Sequence, residues 1–350
     1  MATMMMNHCF VVGLDNGLRV FNVEPLVELL CLDVDTVGSV RLCRMLQRTN
    51  LLAIVGGGPR AKFAENTVLV WDDTRGAFVL ELTFAGTVLN VLLSHTRLAV
   101  VLPSQVHVFS FPNETHRLCT VETRVNRAGL AQLCTDTTAN PEYVVALGHK
   151  MGSVQLVNLK RVSRECTPSP VLLDAHQNEV AALALSNDAQ LLATGSELGT
   201  VVRVFDVRSR TLLSEFRRGS DPATLHCVQF SVNGAFLCVA SDKGTVHLFA
   251  VRDRQSNRKT LLQQVGIVTE EAQRSLAQFQ PCADEQRCIC AFLNRHTVVV
   301  LTDAGEYHKF TVASEGACVR SAFDRFLHLG DDAQFWQNTT NTNTAAAAVG

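Results

Sequence analysis

The sequence predicts an all-β protein, a closed seven-bladed β-propeller. One strand pattern recurs seven times, a second apolar strand precedes most copies, and Gly-containing turns join the two. Each copy ends in an aromatic or apolar anchor residue. The copies are Gly17–Phe21, Thr67–Trp71, Gln105–Phe109, Gly152–Val157, Gly199–Phe205, Gly244–Phe249 and Gly305–Phe310. Successive anchors lie 50, 38, 48, 48, 44 and 61 residues apart, close to the roughly 40–50 residues of a four-stranded blade.

The second strand is rich in Val, Leu, Ala and Cys, as expected of a buried middle strand. It is found at Leu51–Val55, Leu98–Leu102, Val144–Leu147, Leu191–Thr194, Phe236–Ala240 and Thr297–Leu301. Turns such as Ser196–Gly199 and Asp242–Gly244 predict a hairpin to the anchor strand. A pair of β-sandwiches is the alternative, but it does not require one signature seven times at blade spacing.

The length of 350 residues exceeds that of a typical single core. A closed repeat avoids this limit because each repeat buries its surface against its neighbours. We therefore predict one propeller over residues 1–336 and a disordered, low-complexity tail over residues 337–350. The strand-like segment Phe10–Leu14 is expected to complete the last blade beside Val298–Thr302 and Tyr307–Val312, so that the two termini share a blade.

The net charge of −2 and the pI of about 6.6 provide no basic excess for nucleic-acid binding, so any anion site must be local. The 12 cysteines show no zinc-site spacing, and we expect no metal, no cofactor and a reducing compartment. The N-terminus lacks the basic region of a signal peptide, and no apolar run has the length of a membrane span. A cytoplasmic monomer is the expectation.

Catalytic motifs are missing from the sequence. Gly56-Gly57-Gly58 resembles a phosphate cradle, but Pro59 follows it where a P-loop requires Lys and a helix. No nucleophile elbow, zinc-protease motif or carboxylate pair stands out. The sequence therefore predicts a binding protein and not an enzyme.

Phe216-Arg217-Arg218-Gly219 is the centre of the densest polar constellation. We expect it to begin the innermost strand of blade six, with Arg217 facing one flanking cleft and Arg218 the other, because neighbouring residues in a strand point to opposite faces. Short hydroxyls, His and Arg around a Gly suit a phosphorylated ring. Those before the pair are His176, Thr194, Ser196, Gly199, Thr200 and Arg203, and those after it are Ser241, Lys243, Thr245 and His247. Propellers of the WD-repeat type also use such residues in hydrogen bonds within a blade, which is the alternative interpretation.

These residues resemble the PROPPINs, β-propellers that bind polyphosphoinositides, whose motif is Phe/Leu-Arg-Arg-Gly. The resemblance runs from about Phe10 to Asp332. It includes Asn22–Leu26, Val55–Gly58, Trp71–Asp73, Ala175-His176, Ala193–Thr200, Val202–Asp206, Asp221–Leu225 and Ser241–His247. Among animal members, the chain is most similar to the fourth type.

The resemblance implies two lipid sites. The first would consist of His176, Thr194, Ser196, Gly199, Thr200, Arg203 and Arg217. The second would consist of Arg218, Gly219, Ser241, Thr245 and His247. It also implies binding of phosphatidylinositol 3-phosphate and 3,5-bisphosphate, and recruitment to preautophagosomal and endosomal membranes in autophagosome formation. A propeller scaffold that binds proteins without lipid is the alternative function.

Two segments concern membrane and partner contacts. Family members have a blade-six loop that dips into the bilayer, and here its apolar cluster would be Leu261, Leu262, Val265, Ile267 and Val268. Fourth-type members recruit a large lipid-transfer protein and open with a polar loop. In this chain Met4, Met5 and Met6 replace that polar loop, so binding of the lipid-transfer protein is in doubt.

Overall fold

The computed structural model describes residues 2–4, 8–136, 138–162, 169–258, 272–313 and 316–329. Their strands form seven sheets in a ring, each with its strands in antiparallel meander order apart from one added short strand. The chain is a seven-bladed β-propeller, and the predicted fold is confirmed.

Blades one to four hold four strands each, numbered along the chain from the inner to the outer strand. Blade one is β1 (Ala2–Met4), β2 (Cys9–Leu14), β3 (Gly17–Asn22) and β4 (Val27–Asp33). Blade two is β5 (Val40–Met45), β6 (Leu51–Gly56), β7 (Thr67–Asp72) and β8 (Ala77–Thr83). Blade three is β9 (Asn90–Leu93), β10 (Arg97–Val101), β11 (Gln105–Ser110) and β12 (Arg117–Glu122). Blade four is β13 (Ala131–Leu133), β14 (Tyr143–Leu147), β15 (Ser153–Asn158) and β16 (Val171–Asp174).

Blades five to seven follow the same order, with one addition. Blade five is β17 (Val180–Leu185), β18 (Leu191–Ser196), β19 (Val201–Asp206) and β20 (Leu212–Arg217). Blade six is β21 (Leu225–Phe230), β22 (Phe236–Ser241), β23 (Val246–Ala250) and β25 (Ala277–Phe279). The short β24 (Gln273–Arg274) adds to β20 in parallel. Blade seven is β26 (Cys288–Phe292), β27 (Thr297–Thr302), β28 (Glu306–Val312) and β29 (Cys318–Arg325). One helical turn, α1 (Val34–Val37), and 3-10 turns at Leu159–Arg161, Arg254–Ser256 and Phe326–His328 complete the described elements.

All seven predicted anchor segments lie in the third strand of a blade. In five blades the register shifts by a β-bulge immediately before the aromatic anchor, at Phe21, Trp71, Phe109, Phe205 and Phe310. The extra residue lies in the outer fourth strand of each blade, at Leu29, Val79, Leu118, Leu213 and Ser321. Because a bulge bends the strand that carries it, the outer strand bends where it passes the aromatic anchor.

Seven apolar clusters hold the ring together, one at each interface between adjacent blades. Middle strands such as β7 are buried along their whole length, whereas the outer β8 alternates exposed and half-buried residues. Apolar burial of this kind contributes roughly 25 cal/mol per Å². Each blade is thus stabilised mainly by its two neighbours.

The ring closes without a shared blade, so the prediction that the termini share one is wrong. Phe10–Leu14 lies in β2 and pairs with β1 and β3 of blade one, while β26 to β29 all come from the C-terminal part. Because only Asp15 and Asn16 connect them, β2 and β3 form a hairpin within one blade. Residues 330–350 fall outside the described residues, so the boundary of the propeller at residue 336 and the disordered tail stay predictions.

Side chains close the ring instead. Phe10, Phe21 and Phe326 form an aromatic trio with ring centroids 5.0 to 5.4 Å apart. Leu301 and Tyr307 of blade seven pack against this trio. Lys309 of blade seven also pairs with Glu24 of blade one. Arg19 of blade one also donates to Leu327 O over 3.2 Å. Among the described residues, the contact between the first and last blades therefore combines packing with this hydrogen bond and the ion pair.

We expect Phe326→Ala to lower the free energy of unfolding by about 3–5 kcal/mol, because it leaves a cavity in the closing interface. Chemical denaturation measures this. Phe323→Ala is the matched control, since that ring is 48% exposed, and it should cost about 1 kcal/mol or less. Equal losses in the two variants would contradict closure by the aromatic trio.

Candidate functional site: two polar clefts beside blade five

The sequence predicted that the arginine pair begins the innermost strand of blade six, and this prediction is wrong. Phe216 and Arg217 end β20, the outer strand of blade five, and Arg218 follows in the connection to blade six. The backbone N–H of Arg218 donates to Thr200 O over 2.9 Å and so extends the pairing with β19 by one residue. The innermost strand of blade six, β21, begins only at Leu225.

Strand alternation sends the two arginines to opposite sides of blade five. Phe216 pairs with Val202 and is fully buried in the apolar cluster between blades five and six. Arg217 pairs with Val201 and shares its face with Glu215, on the side toward blade four. Arg218 returns to the side of blade six. We call these gaps the first cleft, between blades four and five, and the second cleft, between blades five and six.

The first cleft is lined by a row of side chains that crosses blade five. Thr194, Arg203 and Glu215 are cross-strand partners, so all three lie on the face toward blade four. Ser196 lies on the same face, two residues after Thr194. His176, in the connection from blade four, makes a hydrogen bond of 2.9 Å between its Nε2 and Thr194 Oγ1. The structure thus brings His176 to the predicted strand residues.

Glu215 is a member of this cleft that sequence reasoning missed. Its carboxylate accepts from Arg203 Nε over 2.8 Å, and Arg203 also donates to Ala175 O over 2.7 Å. Alternation along β20 could have revealed it, because Glu215 is two residues before Arg217. The cleft therefore has a built-in carboxylate beside its cations.

Gly199 and Thr200, both predicted for the first cleft, lie in the turn between β18 and β19, and Gly199 contacts the connection to blade six instead of the first cleft. Gly199 has φ of +60°, and a Cβ at this residue would lie 1.8 Å from Ala223 O. Only glycine fits this backbone and this close approach. Arg217, by contrast, is exposed, and among the described residues its side chain has no hydrogen bond or ion pair. It is the cation of this cleft that is free to bind.

The second cleft holds Arg218 in a fixed position. Its Nε donates to Gly199 O over 2.9 Å, and its other terminus donates to Asp221 O. Arg218 is 8% exposed and therefore buried, whereas its neighbour Arg217 is exposed. Gly219 has no neighbouring atom within 4 Å of the place of a Cβ, so the backbone after Arg218 is open to approach.

Blade six supplies the opposite wall of the second cleft. His247 pairs with Val239 on the face toward blade five, and Ser241 follows on that face. The Nδ1 of His247 lies 3.3 Å from Ser275 Oγ and its Nε2 lies 3.4 Å from Thr245 Oγ1. The Ser241 hydroxyl is fully buried and has no partner among the described residues. Lys243 is exposed in the adjoining turn.

Both cleft histidines are held neutral. Burial, with charge repulsion from Arg203 as the second cause, lowers the pKa of His176 from 6.5 to about 4. Burial likewise lowers the pKa of His247 to about 4, with Arg218 as the second cause. Burial also lowers the pKa of Arg218, against the opposing effect of Asp242 and Asp221. Because these histidines are neutral at pH 7, arginine carries the positive charge inside the two clefts.

The two clefts use equivalent positions of neighbouring blades. Arg203 and His247 both lie in the third strand, two residues before the aromatic anchors Phe205 and Phe249. Each pairs with the second strand of its own blade and faces the preceding blade. The repeat therefore generates two similar polar clefts, and the arginine pair supplies one cation to each.

Other predictions concern residues outside these clefts. The aliphatic cluster from Leu261 to Val268 lies outside the described residues, as do Met5 and Met6. Within the described ranges, no group of three or more His, Cys, Asp or Glu residues could hold a metal ion. In the same part of the chain, no helix has the length and apolar character needed to cross a bilayer.

Comparisons with known proteins agree with this architecture. The PROPPIN family model matches residues 13–262. Ectopic P granules protein 6 of Caenorhabditis elegans is 32% identical over 263 residues, which cover 74% of this chain and 68% of that protein. Autophagy-related protein 18e of Arabidopsis thaliana is 31% identical over 345 residues, covering 95% and 87%. In three of the curated relatives, the region similar to this chain spans only about two thirds of the relative's own length.

A solved structure shows the same fold. Hsv2p of Kluyveromyces lactis superposes with a TM-score of 0.73 at 22% identity, over 93% of this chain and 98% of that one. Since the family model covers more than half of the sequence, the chain belongs to the PROPPIN family, non-enzymatic β-propellers in which phosphoinositide binding is typical.

Proposed function

We propose that this protein is an adaptor that binds phosphatidylinositol 3-phosphate and 3,5-bisphosphate and attaches peripherally to membranes during autophagosome formation. The observation that carries the proposal is the placement of Arg217 and Arg218. These adjacent residues, the last of β20 and the one after it, enter two separate polar clefts, each lined by hydroxyls and a histidine. Hydroxyl donors beside an arginine suit a phosphate group.

The first cleft contains one unpaired arginine, Arg217, and one paired arginine, Arg203. Arg217 has no partner among the described residues and can reach a phosphate without losing a contact. Arg203 already pairs with Glu215, so a phosphate there must share its guanidinium. Thr194 and Ser196 add hydroxyl donors on the same face. This mixture favours a highly charged ligand that can compete with Glu215.

The second cleft is preorganised. Arg218 is fixed by two backbone carbonyls before any ligand arrives. The unpartnered hydroxyl of Ser241 and the neutral His247 lie on the facing wall. A bound phosphate would satisfy Ser241 and favour a proton on His247, because an adjacent anion stabilises the charged imidazole. Groups fixed in advance lose less entropy on binding.

Two clefts on one rim act together at a membrane. When one headgroup is bound, the second cleft meets an effective lipid concentration far above that in solution. Insertion of the Leu261–Val268 cluster would add to this attachment and stays a prediction from the sequence. Cytoplasmic residence and recruitment to preautophagosomal or endosomal membranes follow from the same proposal, and the names of the autophagy relatives support it.

Partner binding is a separate matter. A large lipid-transfer protein would be the partner of a fourth-type member, and the Met4–Met6 departure argues against the same docking. A lipid-independent scaffold remains the second candidate function, and one observation favours it. The Arg203–Glu215 pair and the tethering of Arg218 show that these polar groups also hold neighbouring segments together.

Replacement of the arginine pair tests the proposal. We expect Arg217→Thr plus Arg218→Thr to abolish flotation with vesicles that contain a 3-phosphoinositide, because each cleft loses its arginine. The fold should persist with a modest loss of stability, on the order of 1–3 kcal/mol, since Gly199 O and Asp221 O lose their donor.

The matched control is Arg117→Thr plus Arg127→Thr, which removes the same charge from exposed positions of blade three and the connection after it. This control should float like the wild type. Retained flotation of the Arg217 and Arg218 variant would favour the lipid-independent scaffold.

The neutral histidines predict a pH dependence of stability. Their pKa in the folded protein, about 4, lies below the ordinary 6.5, so the unfolded chain binds more protons between these values. Stability therefore falls as the pH drops from 6.5 to 4, with no further contribution below 4. His176→Gln plus His247→Gln should flatten this decline in denaturant titrations. The exposed pair His149→Gln plus His296→Gln should leave it unchanged, and an identical decline in both variants would refute the assignment.

A further inference from the structure

The gap between blades five and six has a second polar end. Ser214 and Phe216 of β20, and Arg218 just after it, all face blade six. Phe216 stacks on Phe249 at 4.8 Å and fills the middle of the gap. Ser214 lies four residues before Arg218, about 13 Å away along an extended strand. The aromatic pair therefore separates Ser214 from the second cleft.

An open cavity of about 340 Å³ lies at this end. It is lined by Gln190, Leu191, Leu213, Ser214, Val251, Arg252 and Arg254. No carboxylate is among these residues. The neighbouring acids Asp188 and Asp253 accept hydrogen bonds from Ser186 and Ser256 instead. The cavity thus combines two cations with an apolar floor.

Its polar groups are incompletely used. Ser214 is 7% exposed, and its hydroxyl has no partner among the described residues. The Arg252 guanidinium also makes no hydrogen bond or ion pair within the described part of the chain. Arg254 donates one bond of 2.6 Å to Leu213 O, which holds its guanidinium at the cavity. A buried hydroxyl without a partner costs free energy unless a ligand or water satisfies it.

We propose that this cavity is a third anion site, which takes a phosphate group bound to an aliphatic backbone, as in an ordinary anionic phospholipid. Arg252 and Arg254 bind the phosphate oxygens, Ser214 donates to them, and Leu191 and Val251 contact the aliphatic part. The site is distinct from the two headgroup clefts and would add lipid affinity that does not depend on inositol phosphorylation.

Vesicle flotation tests the lipid source. Vesicles carry a 3-phosphoinositide in phosphatidylcholine, with or without phosphatidylserine. We expect phosphatidylserine to strengthen wild-type binding by about tenfold, given the attraction of arginines to anionic surfaces. Arg252→Gln plus Arg254→Gln should lose this gain but keep its affinity for soluble inositol 1,3-bisphosphate.

The control is Arg208→Gln plus Arg210→Gln, an exposed pair on the neighbouring hairpin turn that does not line the cavity. It should retain the gain from phosphatidylserine. An equal loss in the two variants would mean diffuse surface charge and would overturn the proposal.

Inorganic phosphate gives a readout that does not depend on the two clefts. In ¹⁵N-arginine NMR spectra of the full chain, phosphate should shift the side-chain signals of Arg252 and Arg254, and Ser214→Ala should weaken this response. A phosphate response without a phosphatidylserine gain would support the site and assign it to a soluble phosphate compound. The absence of both the phosphate response and the phosphatidylserine gain would overturn the proposal. This measurement stands even if the headgroup clefts bind no lipid.

Discussion

The burial of Phe216 between blades five and six is the constraint on which both clefts depend. The ring is fully buried and stacks on Phe249, so the end of β20 has only one possible register. Because side chains alternate along a strand, Arg217 must then face blade four and Arg218 must face blade six. A slip of one residue would exchange the two faces and bury a charge in the apolar interface.

Much of the fold could be predicted from the sequence because propeller blades repeat. The seven anchors recur at blade spacing, and each lies in a third strand. The blade that closes the ring was harder to predict. The pattern of Phe10–Leu14 predicts a strand, but its blade depends on the local turn Asp15-Asn16 and on packing around Phe326. The contact between Phe10 and Phe326 joins residues more than 300 positions apart in the sequence.

The site shows the same division. Spacing and the family resemblance could predict that His176, Thr194, Arg203 and the arginine pair lie together, because each has a fixed place in a blade or in the connection beside it. The assignment of Arg217 to an inner strand was wrong. The strand that contains Arg217 can be placed in blade five or blade six only if one knows that the blade-to-blade connection is Arg218–Thr224. The different states of the arginines, with Arg218 tethered and Arg217 free, depend on backbone carbonyls that no pattern reveals.

Counting bound headgroups tests most directly the claim that one dipeptide serves two clefts. Isothermal titration with soluble inositol 1,3-bisphosphate should find two sites in the wild type. Arg217→Thr and Arg218→Thr should each leave one site, because each removes the cation of a different cleft. A single site in the wild type, or the loss of both sites on replacement of one arginine, would contradict the account.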